Sequence, residues 1–311
     1  MLEVAHRIEL ELLMRTFLGM EPPDRVMRQL ASVVRDFDAP PGTVLYERGD
    51  PPGELFMIAD GTVALIGEDG SRWVFEGQSL VGVLDSTLDR PMTRRAVVET
   101  RAHGARLMLA DYLDVLDDNF DFAKTAMERG CRMVHENALA LAPDHVFPPP
   151  SEDPILDERG GDPRPLEMVE RLMVLHRSSL FDAAPLQPLA SLAALAEEER
   201  WEAGDVIERQ GETSMYLRCV ASGSVCAERD DPRVVADFGP SDVVAGIAAL
   251  GLTEAGYTIR ATRPTRTLKL LKEDLFDVAE DHFGLMGTFF RCNGLENERI
   301  RNLGSALDRV D

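Results

Sequence analysis

Short apolar runs separated by glycines and polar turns dominate the pattern of hydrophobic and polar positions in two parts of the chain. In the first part the runs are GTVLYE, ELFMIADGTVALI, RWVFEG, RAVVETR and ARLML. Runs of this length, rich in β-branched residues and regularly spaced, predict the strands of a β-sandwich or barrel. The glycines lie between the runs, where a tight turn or a positive φ is required.

Helical periodicity flanks these strands. Residues 1–16 predict an amphipathic N-terminal helix with Leu2, Ala5, Ile8, Leu12 and Leu13 near one face. Two longer helices are predicted after the strands, with apolar residues that recur at helical spacing: Phe120, Ala123, Met127, Val134 and Leu141, then Phe283, Met286, Phe290, Ile300, Leu303 and Leu307. Each apolar face can cover its own barrel or form an interface with a second copy or a partner protein, and the pattern leaves these alternatives open.

The strand-rich segment occurs twice. PPGTVLYERGDPPGELFMIADGTVAL and EAGDVIERQGETSMYLRCVASGSVCA align without gaps at an offset of 162 residues. The shared glycines are Gly42, Gly49 and Gly61 in the first copy and Gly204, Gly211 and Gly223 in the second. Downstream, residues 112–120 resemble residues 275–283 at an offset of 163. An internal repeat of this kind predicts two copies of one fold.

A break separates the two copies. Residues 143–165 contain seven prolines and several acidic residues, which predicts an extended, semi-rigid linker. We therefore expect a helix over residues 1–16, a first domain over 17–142, the linker over 143–165, and a helix plus a second domain over 166–311.

Charge and composition exclude several classes of protein. The chain has 33 Lys and Arg against 55 Asp and Glu, a net charge of −22, which argues against nucleic-acid binding. No apolar run of about 18 residues predicts a membrane span, and the N-terminus does not resemble a signal peptide, so we expect a cytoplasmic protein. The cysteines and histidines lack metal-ligand spacing, which argues against a metal site and a cupin-like enzyme.

The glycine frame G-x6-G-x11-G-x-V between helices resembles the cyclic nucleotide-binding domain, the family of the catabolite activator protein and the protein kinase A regulatory subunit. The resemblance covers both copies and implies a mainly β fold with flanking α-helices, namely two β-roll (jelly-roll) domains in tandem. No helix-turn-helix segment follows the second copy, so we expect no DNA binding. A fold alone does not give a function.

In this family a phosphate-binding cassette holds the ligand. The resemblance implies a short helix whose N-terminus faces the cyclic phosphate, an Arg that neutralises it, and a Glu that accepts a hydrogen bond from the ribose. In the first copy, SLVGVLDSTLDRPMTRRAVVET puts Gly82 at the cassette glycine, Val83 at the Glu position, and Arg94 at the phosphate Arg. Arg95 and Ala96 follow Arg94. The nearest carboxylate, Asp85, lies two positions from the Glu position.

The second copy departs further from the family pattern. DVVAGIAALGLTEAGYTIRAT puts Gly246 at the cassette glycine, Ile247 at the Glu position and Ala255 at the phosphate Arg. A hydrogen bond to a charged group contributes roughly 1.5–3 kcal/mol, so losing both polar anchors costs on the order of two to four decades of affinity. We expect this pocket to be degenerate.

Two hypotheses for function remain open. In the first, both cassettes are degenerate and the chain is a non-enzymatic scaffold for a protein partner, with a basic partner surface favoured by the charge of −22. In the second, the first copy is a sensor that binds a cyclic nucleotide through Arg94 and signals to a partner. Neither requires a cofactor; a cyclic nucleotide is the ligand of the second.

Overall fold

A computed structural model describes residues 22–140, 150–153, 164–229 and 234–307 of the chain. The predicted N-terminal helix 1–16, Leu141 and most of the predicted linker lie outside the described residues. The chain forms two compact units, of which the first contains described residues 22–126 and 297–307 and the second the rest. This grouping differs from the predicted boundaries because it divides both long helices.

The first unit is built around one bent antiparallel sheet. Its elements are α1 (Asp24–Val33), β1 (Arg35–Ala39), β2 (Val44–Tyr46), β3 (Glu54–Ile66), β4 (Arg72–Glu76), β5 (Ser79–Val81), α2 (Val83–Thr87), β6 (Arg95–Met108), α3 (Leu109–Asp117) and the start of α4 (Phe120–Ala140). The strand order is β1-β6-β3-β4, with β2 also paired to β6 and β5 to β3. The Phe56 ring packs against the rings of Phe37 and Tyr46 in the apolar core of this unit.

The second unit also runs from helix through strands, a short helix and further strands to two helices, but its strands form two four-stranded sheets. Its elements are α5 (Met168–Arg177), α6 (Leu186–Leu195), β7 (Glu197–Trp201), β8 (Val206–Glu208), β9 (Tyr216–Ser222), β10 (Val225–Glu228), β11 (Val234–Phe238), β12 (Val243–Val244), α7 (Gly246–Gly251), β13 (Thr258–Ala261), β14 (Thr265–Leu271), α8 (Lys272–Asp281) and α9 (Gly284–Leu307). The strand orders are β11-β10-β13-β8 and β12-β9-β14-β7.

A glycine with positive φ sets the same bend in both units. Gly61 has φ +100°, and a Cβ built there would lie 2.3 Å from the Arg101 carbonyl oxygen. Gly223 has φ +88°, and its Cβ would lie 2.4 Å from the Pro264 carbonyl oxygen. Only glycine combines this φ with so close an approach of a second backbone segment. In the first unit the chain continues as one strand through this point, whereas in the second it breaks into β9 and β10.

The predicted fold class needs one correction. The strands and β-roll sheets are present, but the described residues contain more helix than strand, so the architecture is mixed rather than mainly β. The long helices α4 and α9, with 21 and 24 residues, account for much of this difference. Ala123, Met127 and Val134 on α4 are buried, as are Met286 and Ile300 on α9. Those parts of the predicted apolar faces are therefore covered within the single chain.

Candidate functional site

The two cassettes are held by equivalent backbone hydrogen bonds. The Gly42 amide donates to the Val98 carbonyl at 2.7 Å, and the Gly204 amide donates to the Ala261 carbonyl at 2.8 Å. At the next glycine of each copy, the Gly49 amide donates to the Met92 carbonyl at 2.8 Å, and the Gly211 amide donates to the Ala255 carbonyl at 2.9 Å. Residues of the first cassette (82–94) therefore correspond to those of the second (245–257) at an offset of 163.

Gly82 sits immediately before the cassette helix α2 in the left-handed region, with φ +89°. A Cβ at this position would lie 2.6 Å from the Glu54 carbonyl oxygen, so the turn requires glycine. Val83 is the first residue of α2 and carries no polar atom in its side chain. The helix start that would face a phosphate is present, but the acceptor for a ribose hydroxyl is not.

The Asp85 carboxylate is hydrogen-bonded to other residues of the first cassette. Its buried carboxylate accepts from Arg90 Nε at 2.6 Å and from the backbone amide of Thr93 at 2.9 Å. The Thr93 hydroxyl contacts the same carboxylate. With its oxygens bound in this way, Asp85 fixes the loop that carries Arg94 and does not replace the missing Glu.

Arg94 is held by the first unit itself. Its guanidinium carbon lies 3.8 Å from the centroid of the Trp73 ring, a cation–π contact. Its Nη1 donates to the Ser71 hydroxyl at 3.0 Å and its Nη2 to the side-chain Oδ1 of Asn302 at 3.1 Å. Burial lowers the pKa of Arg94 despite the nearby acids Asp69, Glu298 and Asp85. Its Nε is buried and has no hydrogen-bond partner in the part of the chain that the structure describes.

The end of α9 supplies further contacts to this site. Glu298 accepts from Arg90 Nη2 at 2.6 Å, while the Arg301 guanidinium lies 4.9 Å from the Phe75 ring centroid and 6.0 Å from that of Trp73. Burial by itself would lower the pKa of Arg90, and its hydrogen bonds to Glu298 and Asp85 raise it above the ordinary value. Burial lowers the pKa of Arg301. The first cassette is thus covered by a helix.

The remaining predicted residues of the first cassette contribute to the sheet. Arg95 starts β6 and pairs with Glu47 at 3.1 Å, and both side chains are about half exposed. Ala96 is buried and lies opposite Tyr46 and Leu65 in the sheet register. The structure therefore brings Gly82, Val83 and Arg94 to one cassette, with Arg95 and Ala96 on the adjoining strand.

The second cassette corrects the sequence alignment by one residue at its start. Ala245, with φ +61°, precedes α7 as Gly82 precedes α2, so Ala245 is the equivalent of the cassette glycine. Gly246 is the first residue of α7 and takes the Glu position, and Ile247 follows it. The sequence contains a single glycine at this point, Gly246, which favoured the shifted alignment. An alanine with positive φ is uncommon and is not expected from sequence.

At the other end of this cassette the shift is two residues. Ala255 is buried and corresponds to Met92, so the equivalent of Arg94 is Tyr257, which packs against the core of the second unit. The same offset places Ala248 at the position of Asp85 and Thr253 at that of Arg90. The second cassette therefore lacks the phosphate Arg. It also lacks the equivalent of the Asp85–Arg90 ion pair, because smaller residues stand at both positions.

The second cassette is also covered by a helix, the part of α4 that belongs to the second unit. Arg132 Nη2 lies 3.4 Å from the Gly251 carbonyl oxygen, and His135 Nε2 lies 3.0 Å from that of Glu254. A Cβ on Gly256 would lie 2.6 Å from Leu139, which shows how closely α4 approaches. Burial lowers the pKa of His135. Both cassettes therefore have a helix packed against them.

Sequence reasoning missed several residues of the first cassette: Ser71, Trp73, Arg90, Thr93, Glu298, Arg301 and Asn302. Arg90 and Thr93 lie close to Arg94 in sequence. The spacing of Asp85 five positions before Arg90 was a signal from which their ion pair could have been predicted. Nothing in the sequence links α9 to the first cassette, because the contact is long-range and the two segments are about 200 residues apart.

Comparison with known proteins assigns one region of the chain. Residues 198–282 match the family model of the cyclic nucleotide-binding domain. The match lies in the second unit, whose cassette lacks the polar anchors, and it establishes one such domain. No curated protein matches the chain.

Solved structures resemble the chain at low identity. The regulatory domain of Toxoplasma gondii protein kinase A with cAMP is 14% identical, with 90% of this chain and 95% of that chain covered and a TM-score of 0.34. The regulatory subunit of a cAMP-independent protein kinase A from Trypanosoma brucei is 18% identical, with 87% of this chain and 83% of that chain covered and a TM-score of 0.34. The N-terminal domain of a transcriptional regulator from Streptomyces coelicolor A3(2) is 24% identical, with 43% of this chain and 93% of that chain covered and a TM-score of 0.37.

In the described part of the chain, no group of three or more His, Cys, Asp or Glu side chains is arranged to hold a metal ion. Of the helices that the structure describes, none is both long and apolar enough to cross a membrane.

Proposed function

We propose that the chain is a non-enzymatic regulatory protein built from two copies of the cyclic nucleotide-binding fold, in which both cassettes hold helices of the chain instead of a cyclic nucleotide. It then acts as a protein-interaction scaffold. The family match at residues 198–282 supports the fold of the second copy. The shared backbone hydrogen bonds of the two cassettes support the same fold for the first.

One observation carries this proposal. Arg94 is the residue that the family resemblance assigns to the phosphate, and its guanidinium is stacked on Trp73 and hydrogen-bonded to Ser71 and Asn302. A ligand would have to replace these contacts. It would do so without the ribose acceptor, since Val83 stands at the Glu position, and that loss alone costs about tenfold or more in affinity.

The proposed partner is a protein with a basic surface in the cytoplasm, because a net charge of −22 favours association with positive charge. A homodimer through α4 and α9 remains a prediction for the exposed parts of these helices. Met127 and Met286, which the periodicity placed on the apolar faces, are buried in the single chain.

A cyclic nucleotide sensor is the second candidate function. It is favoured by the buried Nε of Arg94, which has no hydrogen-bond partner within residues 22–140, 150–153, 164–229 and 234–307 and would gain one from a phosphate oxygen. In this alternative the first unit binds the ligand and signals to a partner protein.

Calorimetric titration of the full chain with cyclic AMP, cyclic GMP and a cyclic dinucleotide separates the two candidates. We expect no binding heat with any of them up to millimolar concentration, because Arg94 is occupied and the ribose acceptor is missing. Micromolar binding that is lost in Arg94→Ala would establish the sensor instead. Arg95→Ala, which changes an exposed neighbouring arginine, is the matched control.

A further inference from the structure

Three residues near the end of α9 lie on one helix face and contact the first cassette or the adjoining strand β4. Glu298, Arg301 and Asn302 are spaced i, i+3 and i+4, which places them side by side on a helix. Glu298 binds Arg90, Asn302 binds Arg94, and Arg301 lies over the rings of Trp73 and Phe75. All these residues belong to the first compact unit. We call residues 297–303 the latch, and Arg90, Arg94 and Trp73 the arginine site.

The latch makes the contacts that a bound anion would make. A carboxylate oxygen of Glu298 lies 2.6 Å from Arg90 Nη2, and the amide oxygen of Asn302 lies 3.1 Å from Arg94 Nη2. These two oxygens accept hydrogen bonds from the guanidinium groups in the way that the oxygens of a phosphate group would. The latch and an anion therefore compete for the same donors.

The closed arrangement leaves Arg94 incompletely satisfied. Among the described residues its hydrogen-bond acceptors are the Ser71 hydroxyl and the Asn302 side-chain amide, which are both neutral. Its Nε is buried and has no hydrogen-bond partner among those residues, although a buried donor without an acceptor is costly. Arg301 brings a second guanidinium towards the same Trp73 ring that Arg94 covers. A phosphate oxygen at this Nε would give Arg94 a charged acceptor, which neither the Ser71 hydroxyl nor the Asn302 amide provides.

We propose that the latch is an autoinhibitory contact: while closed, it occupies the arginine site, and when it is released, Arg90 and Arg94 form a binding site for a phosphate-bearing small molecule. Release would follow from any event that pulls the end of α9 away, such as binding of the partner protein. The inference rests on the proposed function in one respect, namely that the closed chain does not bind a ligand at Arg94.

The chain has two tryptophans, so Trp73 can be observed alone in a Trp201→Phe background. We would titrate this parent with inorganic phosphate at constant ionic strength and follow Trp73 fluorescence, because a phosphate at Arg94 changes the charge stacked on the ring. The latch variant is Glu298→Ala with Asn302→Ala. Arg291→Ala, which removes the Asp182 ion pair elsewhere on α9, is the matched control.

We expect a saturable fluorescence change in the latch variant with a half-saturation concentration at least tenfold below that of the parent and of Arg291→Ala. Adding Arg94→Ala to the latch variant should abolish the response. Circular dichroism and the melting temperature establish that each variant is folded. If the double variant is unfolded, Asn302→Ala alone is used, with an expected shift of at least threefold in the same direction.

Equal half-saturation in the parent and the latch variants would overturn the latch, and so would the absence of any response in a folded latch variant. In both cases the scaffold function would be untouched. Tight binding by the parent would instead contradict the proposed function. The latch would survive that result if release still strengthened binding tenfold, so the two failures can be told apart.

Discussion

Replacing Glu128 with alanine is expected to lower the free energy of unfolding of the second unit by about 3 kcal/mol. Glu128 lies on α4, and its carboxylate contacts Lys272 Nζ at 2.6 Å. The Lys272 side chain is 3% exposed, so removing its partner leaves an uncompensated charge in the interior. Urea unfolding followed by Trp201 fluorescence in a Trp73→Phe background measures the effect in this unit.

Two controls define what the loss means. Glu128→Leu with Lys272→Met removes both charges and should restore most of the stability, because a buried ion pair can be replaced by apolar residues at little cost. Asp182→Ala removes an exposed ion pair in the same unit and should change stability by less than about 0.5 kcal/mol. A loss below about 1 kcal/mol in Glu128→Ala would mean that this part of α4 is not integral to the second unit.

Opposite substitutions at the two cassette turns should have opposite effects. Gly82→Ala is expected to destabilise the first unit by about 2–3 kcal/mol, because φ is +89° and the new Cβ would lie 2.6 Å from the Glu54 carbonyl oxygen. Ala245→Gly is expected to stabilise the second unit by about 1 kcal/mol, since it relieves an alanine held at φ +61°.

Thermal unfolding followed by the tryptophan of each unit measures both changes. Gly70→Ala is the matched control for the first unit: φ is +75°, but no atom lies within 4 Å of the new Cβ. Its cost should therefore be the backbone strain alone, about 1 kcal/mol. If Gly82→Ala were no worse than Gly70→Ala, the close approach of Glu54 would not constrain the cassette.

The repeat and its glycine frame could be predicted from the sequence because they are local. Gly61 and Gly223 mark a bend that glycine alone permits, and the constant spacing of the frame carries over into both units. The register of the second cassette could not be predicted, because the offset between the copies is 162 at the shared glycines and 163 in the cassette. The pairing of β10 with β11 shifts by one residue between Ala227 and Glu228, and nothing in the sequence marks that shift. Because Gly246 is the glycine at this point of the sequence, it aligns with Gly82, whereas in the structure Ala245 has the position equivalent to Gly82.

The occupation of the first cassette is a long-range feature and left no signal in the sequence. Arg94 aligns with the phosphate-binding Arg of the family, but its partners Trp73 and Asn302 lie on strand β4 and near the end of α9, far from it in sequence. The family match lies in the other unit, where Tyr257 replaces the arginine. Likeness to the family and retention of the phosphate Arg are therefore found in different halves of the molecule.

A double-mutant cycle between Arg94→Ala and Asn302→Ala tests most directly whether the chain itself holds Arg94. All four proteins carry Trp201→Phe, and the free energy of unfolding of the first unit is measured in urea without any ligand. We predict a coupling energy of about 1 kcal/mol, the value of a hydrogen bond that forms in the closed chain. A coupling energy within about 0.3 kcal/mol of zero would contradict the account, because Arg94 would then be free of α9 and available to a ligand.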